Sequence, residues 1–331
     1  MKKILAIGSS ILDPTFFNTR VLAQEDVKDD WYLIKILSKL TGIEDYEVYG
    51  VCGAGNSWIA GALIDKIDQI DSDTLVVIGW SLTDRFDMLL NSDLDHLQDE
   101  IESCLDQEFA HLRLNRTVNL DGKIVKTGLR YWTSAQFMFG PKIKLKGILN
   151  HTIFLKQFFE EVALVQRLLK EKGCKQMHII PLDPSWYNQK SINKILTDFV
   201  MAGNFEPKYR HLKFEKDFLE TYNKTPELRK WYNLVDWSLF SEFMYDYYYR
   251  VNVPYVCTDK FSNFHQPPLN QYLYAKNVLL KELGLQGKDM LEEMKQANLE
   301  HCKKYKVIYE CDDAIINSLA SPTGIEPVSN S

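Results

Sequence analysis

Residues 3–12 read Lys-Ile-Leu-Ala-Ile-Gly-Ser-Ser-Ile-Leu, a short apolar run that ends in a glycine and two serines. Runs of this kind, rich in β-branched residues and bounded by glycine, are typical of strands buried in a sheet. A serine just past the carboxyl end of such a strand lies where open α/β sheets bind their ligands. The alternative for Ser10 is a strand-to-helix turn in which its hydroxyl caps the helix.

Four similar runs follow along the chain and predict the rest of a sheet. They span 46–49, 74–78, 176–180 and 253–257. Segments with apolar residues at helical spacing separate them, at 31–40, 59–70, 154–169 and 269–283, and Gly173 suits a left-handed helix cap. Strands that alternate with helices predict a parallel sheet covered on both faces. We therefore expect a three-layer α/β/α sandwich with a five-stranded, mainly parallel sheet.

Composition restricts the class of protein. The chain has 331 residues, of which 45% are hydrophobic and 25% charged, as in ordinary globular proteins. The net charge of -6 argues against a protein that binds nucleic acid over its whole surface. No stretch approaches the roughly 20 apolar residues of a membrane span, and the run after Met1 is too short for a signal peptide. We expect a cytoplasmic protein that contacts neither membrane nor nucleic acid.

Cysteine and histidine spacing predicts no metal site. The six cysteines are scattered without a Cys-x-x-Cys pair, and no two histidines stand at ligand spacing. The cysteines are interpreted as reduced thiols, and no cofactor is expected. The chain as a whole is interpreted as one α/β domain over 1–286, with insertions at about 104–150 and 185–250. A C-terminal extension covers 287–331, and its last part is predicted to be disordered.

Two further strand ends carry polar or glycine-rich segments. The second strand is followed by Gly50-Val-Cys-Gly-Ala-Gly-Asn56, in which glycines let backbone N–H groups approach a ligand closely. Asn56 either caps the next helix or donates its amide to a ligand. The pattern matches neither the dinucleotide fingerprint nor a phosphate loop, so a nucleotide-binding hypothesis rests on this glycine turn alone. The third strand ends in Gly79-Trp-Ser-Leu-Thr-Asp-Arg85, which brings polar side chains to the same edge.

The last segment of interest surrounds His265. This histidine precedes Pro267 and Pro268, and prolines mark the start of a helix. A histidine in such a loop has two interpretations, a structural or exposed side chain and a general base. The other six histidines lack a comparable context.

Together these four segments resemble the SGNH/GDSL hydrolase family, most closely its divergent phage and bacterial members. The resemblance covers the predicted core and leaves out both insertions. It implies a flavodoxin-like fold and a serine ester hydrolase, in which Ser10 aligns with the nucleophile and His265 with the base. It also aligns Gly53 with the oxyanion glycine, and the oxyanion asparagine of the family falls near Ser81.

The sequence departs from the family pattern at two points. Ser262 and Asn263 stand where the family has an aspartate before its histidine, so Asp259 is the nearest carboxylate that can orient His265. The family's asparagine of the third segment is also missing, and Asn56 is expected to supply that amide donor instead. The missing groups favour an alternative function, a catalytically degenerate protein of the same fold that binds a ligand or serves a structural role. A viral version of that alternative would act in the virion or the host cytoplasm.

Substrate features remain open in the sequence. The expected substrate is a small-molecule or carbohydrate ester, with Trp80 and Arg85 as contacts; Arg85 has the alternative of a surface pair with Asp84. Residues 122–147 contain six Lys or Arg residues, several aromatic residues and no Asp or Glu. This composition suits binding to an anionic glycan, a phosphate-bearing polymer or a partner surface. The alternative is a solvated hairpin with no binding role. The aromatic run 231–249 either lines a sugar cleft or packs in the core. The oligomeric state is not predicted.

Overall fold

The structure, a computed structural model, describes most of the predicted core. The residues described are 1–14, 31–50, 54–81, 85–91, 115–120, 123–135, 151–180, 226–242, 244, 247–248 and 266–305. The strands are β1 Lys3–Gly8, β2 Asp45–Gly50, β3 Thr74–Gly79, β4 Arg85–Asn91, β5 Asn115–Leu120, β6 Lys123–Ala135 and β7 Lys175–Ile179. The α-helices are α1 Leu33–Thr41, α2 Asn56–Asp65, α3 His151–Lys172, α4 Pro226–Tyr232, α5 Pro268–Tyr274, α6 Leu280–Leu283 and α7 Leu291–Tyr305.

The described strands form one mixed sheet in the order β4-β6-β5-β2-β1-β3-β7. Its centre is the predicted α/β unit, because β2, β1, β3 and β7 run parallel to one another. These four strands confirm the first, second, third and fourth apolar runs to within one residue at each end. β1 and β3, the two inner strands of this centre, are buried on both faces, which explains why their sequences are almost continuously apolar instead of alternating.

The five-stranded expectation is corrected on one side of the sheet. β5 joins β2 in antiparallel pairing at Tyr49–Leu120 and Gly50–Asn119, and β6 and β4 continue the sheet outward, also antiparallel. Two of these strands come from the segment predicted as an insertion at about 104–150. The fifth predicted run, 253–257, lies outside the described residues.

Helices cover both faces of the sheet. Residues of β1 alternate between two apolar clusters: Ile4 and Ala6 face α1 and α5, whereas Leu5 and Ile7 face α2 and α3. This alternation follows from the two-residue period of a strand. α3, with 22 residues, ends at Gly173 with φ +68°, so the prediction of a left-handed glycine cap is confirmed. Within the described ranges, no helix has both the length and the apolar character needed to cross a membrane.

The beginning of the predicted C-terminal extension belongs to the same core. Met294 and Ala297 of α7 lie in the apolar cluster that also contains α1 and α5. The Asn298 side chain accepts a hydrogen bond from the backbone N–H of Leu269 at 3.3 Å. Because the first N–H groups of a helix lack partners within the helix, this contact from α7 stabilises the start of α5. The predicted disordered end lies outside the described residues.

A π-helical segment, Ala275–Leu279, joins α5 to α6. Wider turns of this kind occur where a side chain enters the helical hydrogen-bond ladder. Here the buried Tyr247 hydroxyl donates to the carbonyl oxygen of Leu273 at 3.1 Å and accepts from the Asn277 amide at 2.8 Å. The Tyr247 side chain therefore satisfies a main-chain group just before the widened turn and a side-chain group within it.

We expect Tyr247→Phe to lower the free energy of unfolding by about 1–3 kcal/mol, because it leaves a buried carbonyl and a half-buried amide without this partner. Urea denaturation followed by circular dichroism measures the change. A fall in the denaturation midpoint with an unchanged slope is the expected result. An unchanged midpoint would show that the hydroxyl is not needed at the π segment.

Candidate active site

Three glycines in register end the central parallel strands. Gly8 of β1 pairs with Gly50 of β2 on one side and with Gly79 of β3 on the other. A Cβ on Gly8 would lie 2.6 Å from the carbonyl oxygen of Gly79, and one on Gly79 would lie 2.7 Å from Leu12 Cγ. A Cβ on Gly50 would lie 2.5 Å from the carbonyl carbon and oxygen of Leu12. This glycine row makes room for the turn that follows β1.

The turn after β1 carries Ser10. The backbone N–H of Ser9 donates to the Gly79 carbonyl at 2.9 Å, so the turn begins tied to the neighbouring strand β3. The chain then reverses, since the Leu12 N–H donates to the Ser9 carbonyl at 3.0 Å and the Asp13 N–H to the Ser10 carbonyl at 3.2 Å. Leu12 packs on the glycine row and Ser10 is 6% exposed. The predicted nucleophile therefore lies at the carboxyl edge of the sheet in a hydrogen-bonded turn.

Asn56 and Ser81, both predicted oxyanion residues, are brought together. The Ser81 N–H donates to Asn56 Oδ1 at 2.8 Å, and Asn56 Nδ2 donates to the Ser81 carbonyl at 3.5 Å. A backbone N–H can only donate, so this contact fixes which end of the amide faces Ser81. The helix cap of α2 is Gly55, and Asn56 is its first helical residue. The alternative of Asn56 as the helix cap is therefore corrected.

A buried carboxyl group supports the start of α2 beside Asn56. The Ser57 hydroxyl donates to Glu161 Oε1 of α3 at 2.5 Å. The Gln157 amide donates to Ser57 Oγ at 2.5 Å and to Glu161 Oε1 at 3.0 Å. Burial raises the pKa of Glu161, and its Oε2 is buried without a hydrogen-bond partner among the described residues. These contacts fix the end of α2 that carries Asn56 against α3.

The structure corrects the expectation that Trp80 contacts substrate. Trp80 is fully buried, and its indole Nε1–H donates to Nδ1 of His178 at 2.8 Å. Its ring also packs nearly perpendicular to that of Phe158 of α3, with the centroids 5.8 Å apart. A side chain enclosed in this way contributes to the core and holds the chain just before Ser81.

The aromatic run 231–249 belongs mostly to the core where it is described. Phe240, Tyr247 and Tyr248 are buried, and Trp237 stacks on Tyr232 with centroids 4.7 Å apart. The core alternative is the one the structure favours over a sugar cleft for these side chains. The basic segment 122–147 contributes β6, the second strand of an antiparallel hairpin whose first strand, β5, precedes the segment.

The remaining predicted site residues are only partly described. Arg85 is the first residue of β4, where its backbone pairs with Ala135. Gly53, Asp259 and His265 lie outside the described residues. Their roles remain predictions.

Sequence reasoning missed three residues near this edge. Asp13 is 7% exposed and lies over Gly50, although nothing in the local sequence separates it from a surface acid. His178 is fully buried at the end of β7, and its partner Trp80 is 98 positions away in the chain. Glu161 meets Ser57 across 104 positions. A buried position for His178 was indicated only by the apolar run around it.

Comparisons with known proteins leave the family open. No family model matches the chain, and no curated protein matches it. A solved structure, the protein YxiM of Bacillus subtilis, matches over 92% of this chain with 9% identity and a TM-score of 0.31. The chain spans 57% of the length of that protein. At that TM-score the likeness carries no argument about function. The strand pairing defines the chain as an α/β protein with a four-stranded parallel centre.

Proposed function

We propose that this protein is a serine ester hydrolase of the SGNH type, with Ser10 as the nucleophile. The observation that carries the proposal is the placement of Ser10 in a turn over the glycine row, beside the strand that leads to the Ser81–Asn56 pair. Parallel strands of α/β proteins bind ligands at this edge. A nucleophile here has backbone N–H groups and an oriented amide close to the strand ends, which is what acyl transfer requires.

In the proposed reaction, Ser10 Oγ attacks the carbonyl carbon of an ester while His265 accepts the hydroxyl proton. The tetrahedral oxyanion is stabilised by hydrogen bonds from the N–H of Ser10, the N–H of Gly53 and the Asn56 amide. His265 then gives its proton to the leaving alcohol. A water molecule, deprotonated by His265, attacks the acyl-enzyme and releases the acid with Ser10 restored. Asp259 is proposed to orient the His265 ring, and the substrate is proposed to be an acylated carbohydrate.

The Asn56 amide has a stated role in this mechanism. Its Oδ1 accepts from the Ser81 N–H, so its NH₂ group is held in one orientation relative to the strand end. A preorganised donor stabilises developing charge without reorienting during the reaction. Ser81 therefore contributes by fixing Asn56, through its backbone and not through its hydroxyl.

A fluorophosphonate probe, which labels activated serines, tests the proposal with two neighbouring serines. Ser10→Ala is expected to abolish labelling and hydrolysis of p-nitrophenyl acetate, whereas Ser9→Ala is expected to be labelled like the wild type. Asn56→Ala is expected to lower kcat by about 100-fold with little change in KM, the usual effect of losing one oxyanion donor. Labelling that persists in Ser10→Ala would exclude Ser10 as the nucleophile. A folded wild type without labelling or turnover would instead support the non-catalytic alternative.

A further inference from the structure

His178 occupies an enclosed position beside the candidate site. It lies near the end of β7 and is fully buried. Its ring lies edge to edge with that of Trp80, with centroids 5.9 Å apart and an interplanar angle of 13°, and its centroid is 5.1 Å from that of Phe240. A polar ring in such surroundings needs hydrogen-bond partners for both nitrogens, because an unpaired buried polar atom is costly.

The partners of His178 fix one tautomer. The Trp80 indole nitrogen can only donate, so Nδ1 of His178, 2.8 Å away, must be the unprotonated acceptor. The ring hydrogen is therefore on Nε2, which lies 3.0 Å from Gln176 Oε1 and donates to it. Burial lowers the pKa of His178 to about 3, so the ring is neutral in any ordinary buffer. His178 is thus a permanent acceptor for Trp80.

Trp80 carries this constraint to the candidate site. Its backbone N–H donates to the carbonyl of Ile179 at 2.8 Å, so both the backbone and the indole of Trp80 are bound to β7. The next residue is Ser81, whose N–H orients Asn56. Two hydrogen bonds that Trp80 donates to β7 therefore position the Trp80–Ser81 peptide group, whose N–H binds the Asn56 amide.

A second chain of hydrogen bonds leaves His178 toward α5, the helix that follows His265. The His178 carbonyl accepts from the Ser241 N–H at 2.9 Å. The Tyr274 hydroxyl donates to the Glu242 carbonyl at 2.9 Å, so at its 2.8 Å contact with Ser241 Oγ it accepts. β7 thus connects the Asn56 side of the site with the helix that begins three residues after the proposed base.

We propose that His178 is a positioning residue: by accepting from the Trp80 indole it fixes the Trp80–Ser81 peptide and, through it, the Asn56 amide. This inference rests on the proposed function, because Asn56 matters to the rate only if it acts in the oxyanion hole. His178 itself does not touch the reacting atoms. A small displacement of an oriented donor is sufficient to slow a reaction greatly.

Two substitutions at one position test the inference. His178→Phe keeps a ring between Trp80 and Phe240 but removes the acceptor. His178→Asn is smaller but places a carbonyl oxygen near the position of Nδ1. We expect His178→Phe to lower kcat by roughly 10- to 100-fold relative to the wild type, with little change in KM. We expect the kcat of His178→Asn to lie much closer to that of the wild type. Rates are expressed per Ser10 titrated with fluorophosphonate, so partial unfolding does not mimic the effect.

The NMR resonance of the Trp80 indole N–H gives a readout that does not depend on activity. It is assigned by its disappearance in Trp80→Phe. It is expected to move in His178→Phe and to remain near its wild-type position in His178→Asn. A wild type that is not labelled at Ser10 would overturn the proposed function together with this inference. A wild type that is labelled, with His178→Phe showing an unchanged kcat per titrated site, would overturn this inference alone. Equal losses of kcat in both variants would also overturn it, because the acceptor would then be irrelevant.

Discussion

Gly50→Ala is expected to destabilise the protein by about 3 kcal/mol or more, at the upper end of the cost of overpacking. The added methyl carbon would lie 2.5 Å from the carbonyl carbon and oxygen of Leu12 and 2.6 Å from the Asp13 nitrogen. All three contacts are with backbone, so no side-chain rotation relieves them. The turn that carries Ser10 must shift away from β2, and labelling of Ser10 by fluorophosphonate should slow as well.

Gly42→Ala provides the control for this experiment. Gly42 has φ +73° and nothing within 4 Å of an added Cβ, so alanine meets only backbone strain there. The expected cost is about 1 kcal/mol. Urea denaturation of both variants measures the difference. If Gly50→Ala were as stable as Gly42→Ala, the close approach of the Leu12 backbone to β2 would be refuted.

The second large effect is a loss of stability in acid caused by two histidines, the fully buried His178 and the partly buried His301. Burial lowers the pKa of both His178 and His301 from 6.5 to about 3. Below pH 6.5 the unfolded chain binds a proton at each ring, whereas the folded protein does so only near pH 3. The unfolded state therefore binds more protons in this window, so the free energy of unfolding falls as the pH falls. The slope is at most about 1.4 kcal/mol per pH unit for each histidine.

Urea denaturation between about pH 7 and pH 4 measures this slope, and a His178→Asn, His301→Asn double variant serves as its control. Carboxyl groups also titrate here: the lowered pKa of Asp289 adds to the loss, and the raised pKa of Glu161 opposes it. Both proteins share these groups, so only the difference between their slopes is interpreted. We expect a shallower slope in the double variant, whatever its stability at neutral pH. Equal slopes would show that neither histidine is kept neutral by the fold.

The centre of the fold was predictable from the sequence because it is strongly apolar. The runs that became β1 and β3 are buried on both faces, so nearly every residue in them is apolar and the pattern is short and clear. α1 and α3 present the helical spacing that a face against the sheet requires. The outer antiparallel strands were not predicted, since β5 reads Asn-Arg-Thr-Val-Asn-Leu and is largely polar. Its place in the sheet depends on pairing with β2, and the local sequence of β5 does not indicate that pairing.

The candidate site was predictable only as a set of strand ends. Ser10 and Ser81 follow glycines that close apolar runs, and the order of strands then brings them to one edge. The contacts of Trp80 with His178 were not predictable, because a tryptophan after a strand is as compatible with a ligand contact as with burial. The partner that decides between these is 98 positions away. Distant pairs of this kind are found from packing and not from spacing.

The pairing of β3 with β7 has a consequence for how the chain acquires its structure. Leu75 pairs with Lys175, although 100 positions separate them in the chain. Closing so long a loop costs entropy before the hydrogen bonds between the two strands can offset it, which slows the formation of the sheet. While the protein is being synthesised, β1, β2 and β3 emerge well before β7, which leaves one side of β3 with unpaired N–H and carbonyl groups. Until β7 pairs with it, this exposed edge of β3 is where association with another chain competes with correct folding.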